Sequence, residues 1–112
     1  MELASRDMAD ARVVAVKDSR IDAAVAIKFK DAMRAETYGG PRRVVLDLSD
    51  VQFIDSSGLG AVVAAKKLLH GAHELELAGL TPVVAKVFKL TRMDTVFTIH
   101  ANVDAALPAR AS

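Results

Sequence analysis

Hydrophobic positions along this chain switch between a nearly continuous spacing and a three- to four-residue spacing, and turn residues or charged clusters mark the switches. Arg12 to Lys17, Arg-Val-Val-Ala-Val-Lys, is a β-branched run bounded by charges and predicts a strand. Leu3 and its neighbours add at most a weak edge strand before it. Asp22 then precedes a run of helix formers from Ala23 to Glu36 and is the N-cap candidate. Val25, Phe29, Ala32 and Met33 share one face of that helix, whereas Ile27 falls on the opposite side, near Lys30 and Arg34. Gly39-Gly40-Pro41 ends it. Arg43 to Leu48 is the strongest strand: Val44, Val45, Leu46 and Leu48 form the kind of apolar run found where both faces are covered, so this strand is expected at the centre of a sheet.

The second half repeats the alternation. From Ser56 to about His70, Leu59, Val62, Val63, Lys66 and Leu69 recur at helical steps, and Gly71 supplies the stop. Glu74-Leu75-Glu76-Leu77-Ala78 alternates polar and apolar residues and predicts a strand with one wetter face. Gly79 and Pro82 introduce a helix with Val83, Val84, Val87, Phe88 and Leu90 on its apolar side. Thr95 to Ile99 predicts a last short strand and Val103 to Leu107 a short helix before Pro108, with a fraying tail beyond. Strands alternating with helices predict an α/β layer fold with a mostly parallel sheet, since helical crossovers join parallel neighbours.

Composition narrows the functions open to such a fold. A chain of 112 residues suits a single domain, with its core expected over about residues 12–107. Fifteen Lys and Arg against 14 Asp and Glu leave a net charge of +1, too little to capture nucleic acid or an anionic membrane. No cysteine is present, which removes disulfides, thiolate metal sites and cysteine nucleophiles and permits a reducing cytoplasm. Charges interrupt each apolar run well before the ~18 residues a membrane span needs, so the expected setting is cytoplasmic, without membrane attachment.

Candidate chemistry concentrates where the central strand runs into the second helix, at Asp55-Ser56-Ser57-Gly58-Leu59-Gly60. With Asp55 as N-cap, Ser56 takes the first helical position, its hydroxyl pointing outward beside the unpaired N–H groups of the helix start. Such a hydroxyl either belongs to an inert cap or is open to a kinase. Gly58 and Gly60 each cost a helix about 1 kcal/mol relative to Ala, and two in one turn suggest clearance for a partner backbone.

The stretch from Asp47 to Gly60, Asp-Leu-Ser-Asp-Val-Gln-Phe-Ile-Asp-Ser-Ser-Gly-Leu-Gly, resembles the signature of the STAS domain as it occurs in bacterial anti-sigma factor antagonists, and the order of elements from Val13 to Leu107 is similar too. The resemblance implies a small mixed, mostly parallel β-sheet of four to five strands with helices packed mainly on one side. It implies a binding protein rather than an enzyme, with no cofactor and no metal. The implied partner is an anti-sigma factor with a serine-kinase fold, which releases its sigma factor when bound. That kinase would phosphorylate Ser56, with Ser57 the alternative, and a metal-dependent serine phosphatase would reverse the step. Asp22, Asp55, Ser56, Ser57, Gly58, Leu59 and Gly60 are the implied partner-binding residues, and the free protein is expected to be a monomer. One departure stands out: many members carry Gly-Glu-Leu-Asp ahead of the first helix, where this chain has Ser19-Arg20-Ile21-Asp22.

Other chemistries fit less well. A serine hydrolase needs an activating base, and His70, His73 and His100 fall at a helix end, a loop and a strand end, all expected at the surface. Gly58-Leu59-Gly60 lacks the further glycine of a dinucleotide loop and the Lys of a P-loop. A STAS scaffold, or a subunit of a transporter or signalling complex without a phosphorylation cycle, is the alternative function.

Overall fold

A computed structural model describes residues 1–107; the expected fraying of the tail lies outside the described residues. Five strands form one sheet: β1 (Leu3–Met8), β2 (Ala11–Val16), β4 (Arg43–Asp47), β6 (Glu74–Ala78) and β7 (Ile99–His100), ordered β1-β2-β4-β6-β7. Two-residue strands β3 (Arg20–Ile21) and β5 (Phe53–Ile54) pair separately. β1 and β2 are antiparallel and every other pairing is parallel, so the sheet is mixed and mostly parallel. β4 lies third of five with Val44, Val45 and Leu46 fully buried, as its continuous apolar run requires.

Alternation along β2, β4 and β6 sends one set of side chains to each face. Val14, Val16, Val44, Leu46, Leu75 and Leu77 meet the helices α1 (Ala26–Thr37), α2 (Ser56–Leu69) and α3 (Pro82–Leu90) through Phe29, Met33, Val62, Ala65, Val84 and Phe88. The opposite face carries a small cluster of Ala11, Val13, Val45 and Ala78, closed by Ala106 of α4 (Val103–Ala106). The main helices thus sit on one side, as expected.

Four sequence expectations need correction. The weak edge strand is a full six-residue β1, bound along its length to β2. Helix α1 begins at Ala26 rather than after Asp22, with Val25 as an N-cap that makes no side-chain bond. Asp22 instead folds back, its Oδ1 accepting from the Ala24 N–H at 3.1 Å and its carbonyl from the Val25 N–H at 3.0 Å, which spends residues 22–25 on a turn. The last strand is confined to Ile99–His100, because Met93–Thr95 form a 3-10 turn and Phe97 drops into the core, where its ring meets Phe88 edge-on. Finally, β6 has no wet face at Glu76, which is buried, for a reason given below.

Candidate functional site

The turn between β5 and α2 is built on a backbone clamp. In the β3–β5 pair Arg20 lies opposite Phe53 and Ile21 opposite Ile54, and the Ser19 carbonyl accepts from the N–H groups of Gln52 and Phe53 at 2.8 and 3.2 Å. Asp55 then leaves the strand in an extended conformation (φ −103°, ψ −176°) and caps α2, its Oδ1 accepting from the Gly58 N–H at 2.8 Å. Its Oδ2 faces the Ala23 N–H at 3.4 Å, so one carboxylate ties the start of α2 to the loop ahead of α1. Asp22 is held in that loop by the Arg20 guanidinium, Nε to Oδ2 at 3.2 Å.

The seven predicted contact residues separate on this frame. Ser56 and Ser57 are exposed at the first two positions of α2, and their N–H groups bond to no acceptor among the described residues. Asp22 and Asp55 are half-buried beside them, while Gly60 is exposed with open space around it. Leu59 is buried in the core. Gly58 needs a different explanation from the one the sequence suggested. It is buried, and a Cβ there would lie 1.8 Å from the Ile21 carbonyl oxygen. Its missing side chain makes room for β3 within the fold, whereas a Cβ at Gly60 would meet nothing within 4 Å.

On the far face of the sheet lies a polar cluster that sequence reasoning missed. Arg43 of β4 grips Glu76 of β6 with both arms, Nε–Oε2 at 2.9 Å and Nη2–Oε1 at 2.7 Å, and also donates to the Ala106 carbonyl at the end of α4. His100 Nε2 reaches the same Oε1 at 2.7 Å. The Arg43 hydrogen bonds hold the Glu76 carboxyl below the ordinary carboxylate range against the opposing effect of burial, and the His100 bond adds to them. The same contact raises the Arg43 guanidinium. His100 is therefore half-buried and bound rather than a free surface residue, and His73 Nδ1 lies 2.8 Å from the Pro41 carbonyl; only His70 is exposed. Among the described residues none of the three rings is hydrogen-bonded to Ser56. Among the described residues no three His, Asp or Glu side chains gather to hold a metal, and no helix is long and apolar enough to cross a membrane.

The architecture defines a small α/β domain that presents a capped, hydroxyl-bearing helix start at its surface. The chain belongs to the STAS domain family, whose profile matches residues 9–106. BtrV of Bordetella bronchiseptica, named as an anti-sigma factor antagonist, is 33% identical over 104 residues, covering 92% of this chain and 90% of that one. The anti-sigma-B factor antagonist of Listeria monocytogenes is 38% identical over 82 residues, 70% of each chain. The crystal structure of an anti-sigma factor antagonist from Mycobacterium paratuberculosis superimposes with a TM-score of 0.81 at 27% identity, over 94% of this chain and 89% of that one. These similarities support, for this chain, the general role of an anti-sigma factor antagonist.

Proposed function

We propose that the unphosphorylated chain binds an anti-sigma factor with a serine-kinase fold, thereby freeing a sigma factor, and that phosphate on Ser56 ends the binding. The observation that carries this reading is the exposure of Ser56 at the first position of α2, next to an Asp55 carboxylate whose two oxygens are already engaged. Asp55 builds the turn and leaves the serine hydroxyl as the group a kinase can reach. A phosphoserine brings about −1.5 to −2 charges. At an exposed helix start the favourable dipole and the unfavourable Asp55 charge are each on the order of 1 kcal/mol, so the fold persists. Under a partner, an uncompensated dianion costs several kcal/mol, and about 1.4 kcal/mol is already tenfold in affinity. The modification therefore acts on binding and spares stability, and hydrolysis by a metal-dependent serine phosphatase resets it.

Incubation with ATP and a serine-kinase anti-sigma factor that binds the chain should add one phosphate by intact mass, retained in Ser57→Ala and lost in Ser56→Ala. No phosphate transfer by a kinase that binds the chain would overturn the switch and leave a scaffold.

A further inference from the structure

We infer that Arg20 is a specificity contact that selects a carboxylate on the anti-sigma factor; the inference rests on the reading above and names the chemistry of its partner. Arg20 belongs to the clamp that positions Ser56. Its strand β3 pairs with β5, which runs directly into Asp55, and the next residue's carbonyl is the atom that Gly58 accommodates. The guanidinium lies over the Phe53 ring, 4.1 Å from its centroid, and its Nε–H donates to Asp22. An arginine on a surface usually loses rotamer freedom when a partner orders it. Here stacking and the Asp22 bond hold the side chain in place beforehand, which lowers that cost.

What the holding leaves over is the informative part. A guanidinium has five N–H donors, and Asp22 takes one. The other four bond to no acceptor among the described residues, while the side chain is 58% exposed. Asp22 occupies the Nε side, so the edge formed by Nη1 and Nη2 remains free, and that edge matches the two oxygens of a carboxylate. Nucleic acid is a poor occupant given the net charge of +1. A protein side chain, Asp or Glu, on the surface that covers Ser56 fits the geometry.

The test is titration of the unphosphorylated protein against the serine-kinase-fold anti-sigma factors of the same organism, at low and at physiological salt, for wild type, Arg20→Gln, Arg20→Lys and Ser56→Asp, with melting temperatures to confirm folding. Arg20→Gln avoids repelling Asp22 and should weaken binding roughly tenfold at low salt, with a shallower salt dependence. Arg20→Lys should recover only part of the loss, because an ammonium cannot form the two-pronged contact. A Lys substituted in turn for the exposed carboxylates of the anti-sigma factor should reproduce the loss at one position and show no further loss with Arg20→Gln. Wild-type affinity and salt slope in a folded Arg20→Gln would overturn the assignment of Arg20 while a loss in Ser56→Asp upheld the antagonist reading. Absence of wild-type binding would overturn both.

Discussion

The turn at Ser56 and the cluster at Glu76 use similar residues to opposite ends. Each has an arginine, a carboxylate and a third polar group, and each sits where a strand of this small domain meets a helix. Around Ser56 the polar groups are exposed or half-buried, and the Arg20 pair spans 3.2 Å through one nitrogen. Around Glu76 the acid is 7% exposed and bound at both oxygens, by Arg43 of β4 and His100 of β7, while Arg43 also donates to the Ala106 carbonyl of α4. Desolvation decides the difference. A buried carboxylate without partners is too costly to keep, so Glu76 must be fully satisfied and serves the fold. An exposed hydroxyl costs nothing to leave open, so Ser56 needs no partner within the fold.

Gly58→Ala places a methyl group into the Ile21 carbonyl and forces β3 or α2 to move, with an expected loss of about 3 kcal/mol in urea unfolding. A partner-clearance role alone would leave stability unchanged, so a fully stable Gly58→Ala with weakened binding would reverse our account of this residue.

Glu76→Gln should cost somewhat less, about 2 kcal/mol, because half-buried Arg43 loses its two-pronged partner and keeps only the exposed Asp10, 3.5 Å away, as a counter-charge. The pH dependence carries a sign. The Glu76 pKa is depressed in the folded state, so its contribution is present above the ordinary value of 4.5 and is lost as pH falls through the lower folded value. Wild type should therefore destabilise on acidification below about pH 4.5 more steeply than Glu76→Gln. Parallel curves for the two proteins would show that Glu76 is not held in its charged form.

The smallest effects belong to the functional turn. Asp55→Ala removes the cap and the tie to Ala23 and should cost about 1 kcal/mol, whereas Ser56→Ala should stay within about 0.5 kcal/mol of wild type by the same measurement. A large loss in Ser56→Ala would make the serine a structural residue and blur the contrast between the two regions.

Much of the fold could be read from local pattern alone. The run Val44-Val45-Leu46 marked the central strand, and Asp55 ahead of a helical period marked the cap of α2, because apolar period and capping act over a few residues. The same reasoning failed at Asp22, where a cap candidate became a turn. Its carboxylate is taken by Ala24 and Arg20, and the neighbouring Ala23 N–H faces Asp55, a residue 32 positions away. It failed also at Thr95–Thr98, where Phe97 gains more from contact with Phe88 than from continuing a strand. Alternation in Glu74–Ala78 correctly announced a strand but mistook Glu76 for a wet position, since nothing local reveals that Arg43 stands beside it.

Local pattern was enough for the order of the five sheet strands and the main helices, the buried centre of the sheet, and a serine behind a capping aspartate, all products of short-range periodicity and backbone hydrogen bonding, but not for the short β3–β5 pair. Packing between distant segments was needed to show that Gly58 yields to Ile21, that Arg20 is stacked and half-paired, and that Arg43, Glu76 and His100 are hydrogen-bonded across the back of the sheet. Parallel pairing brings together side chains 33 and 24 positions apart in the sequence, and only that register places these groups within hydrogen-bond reach.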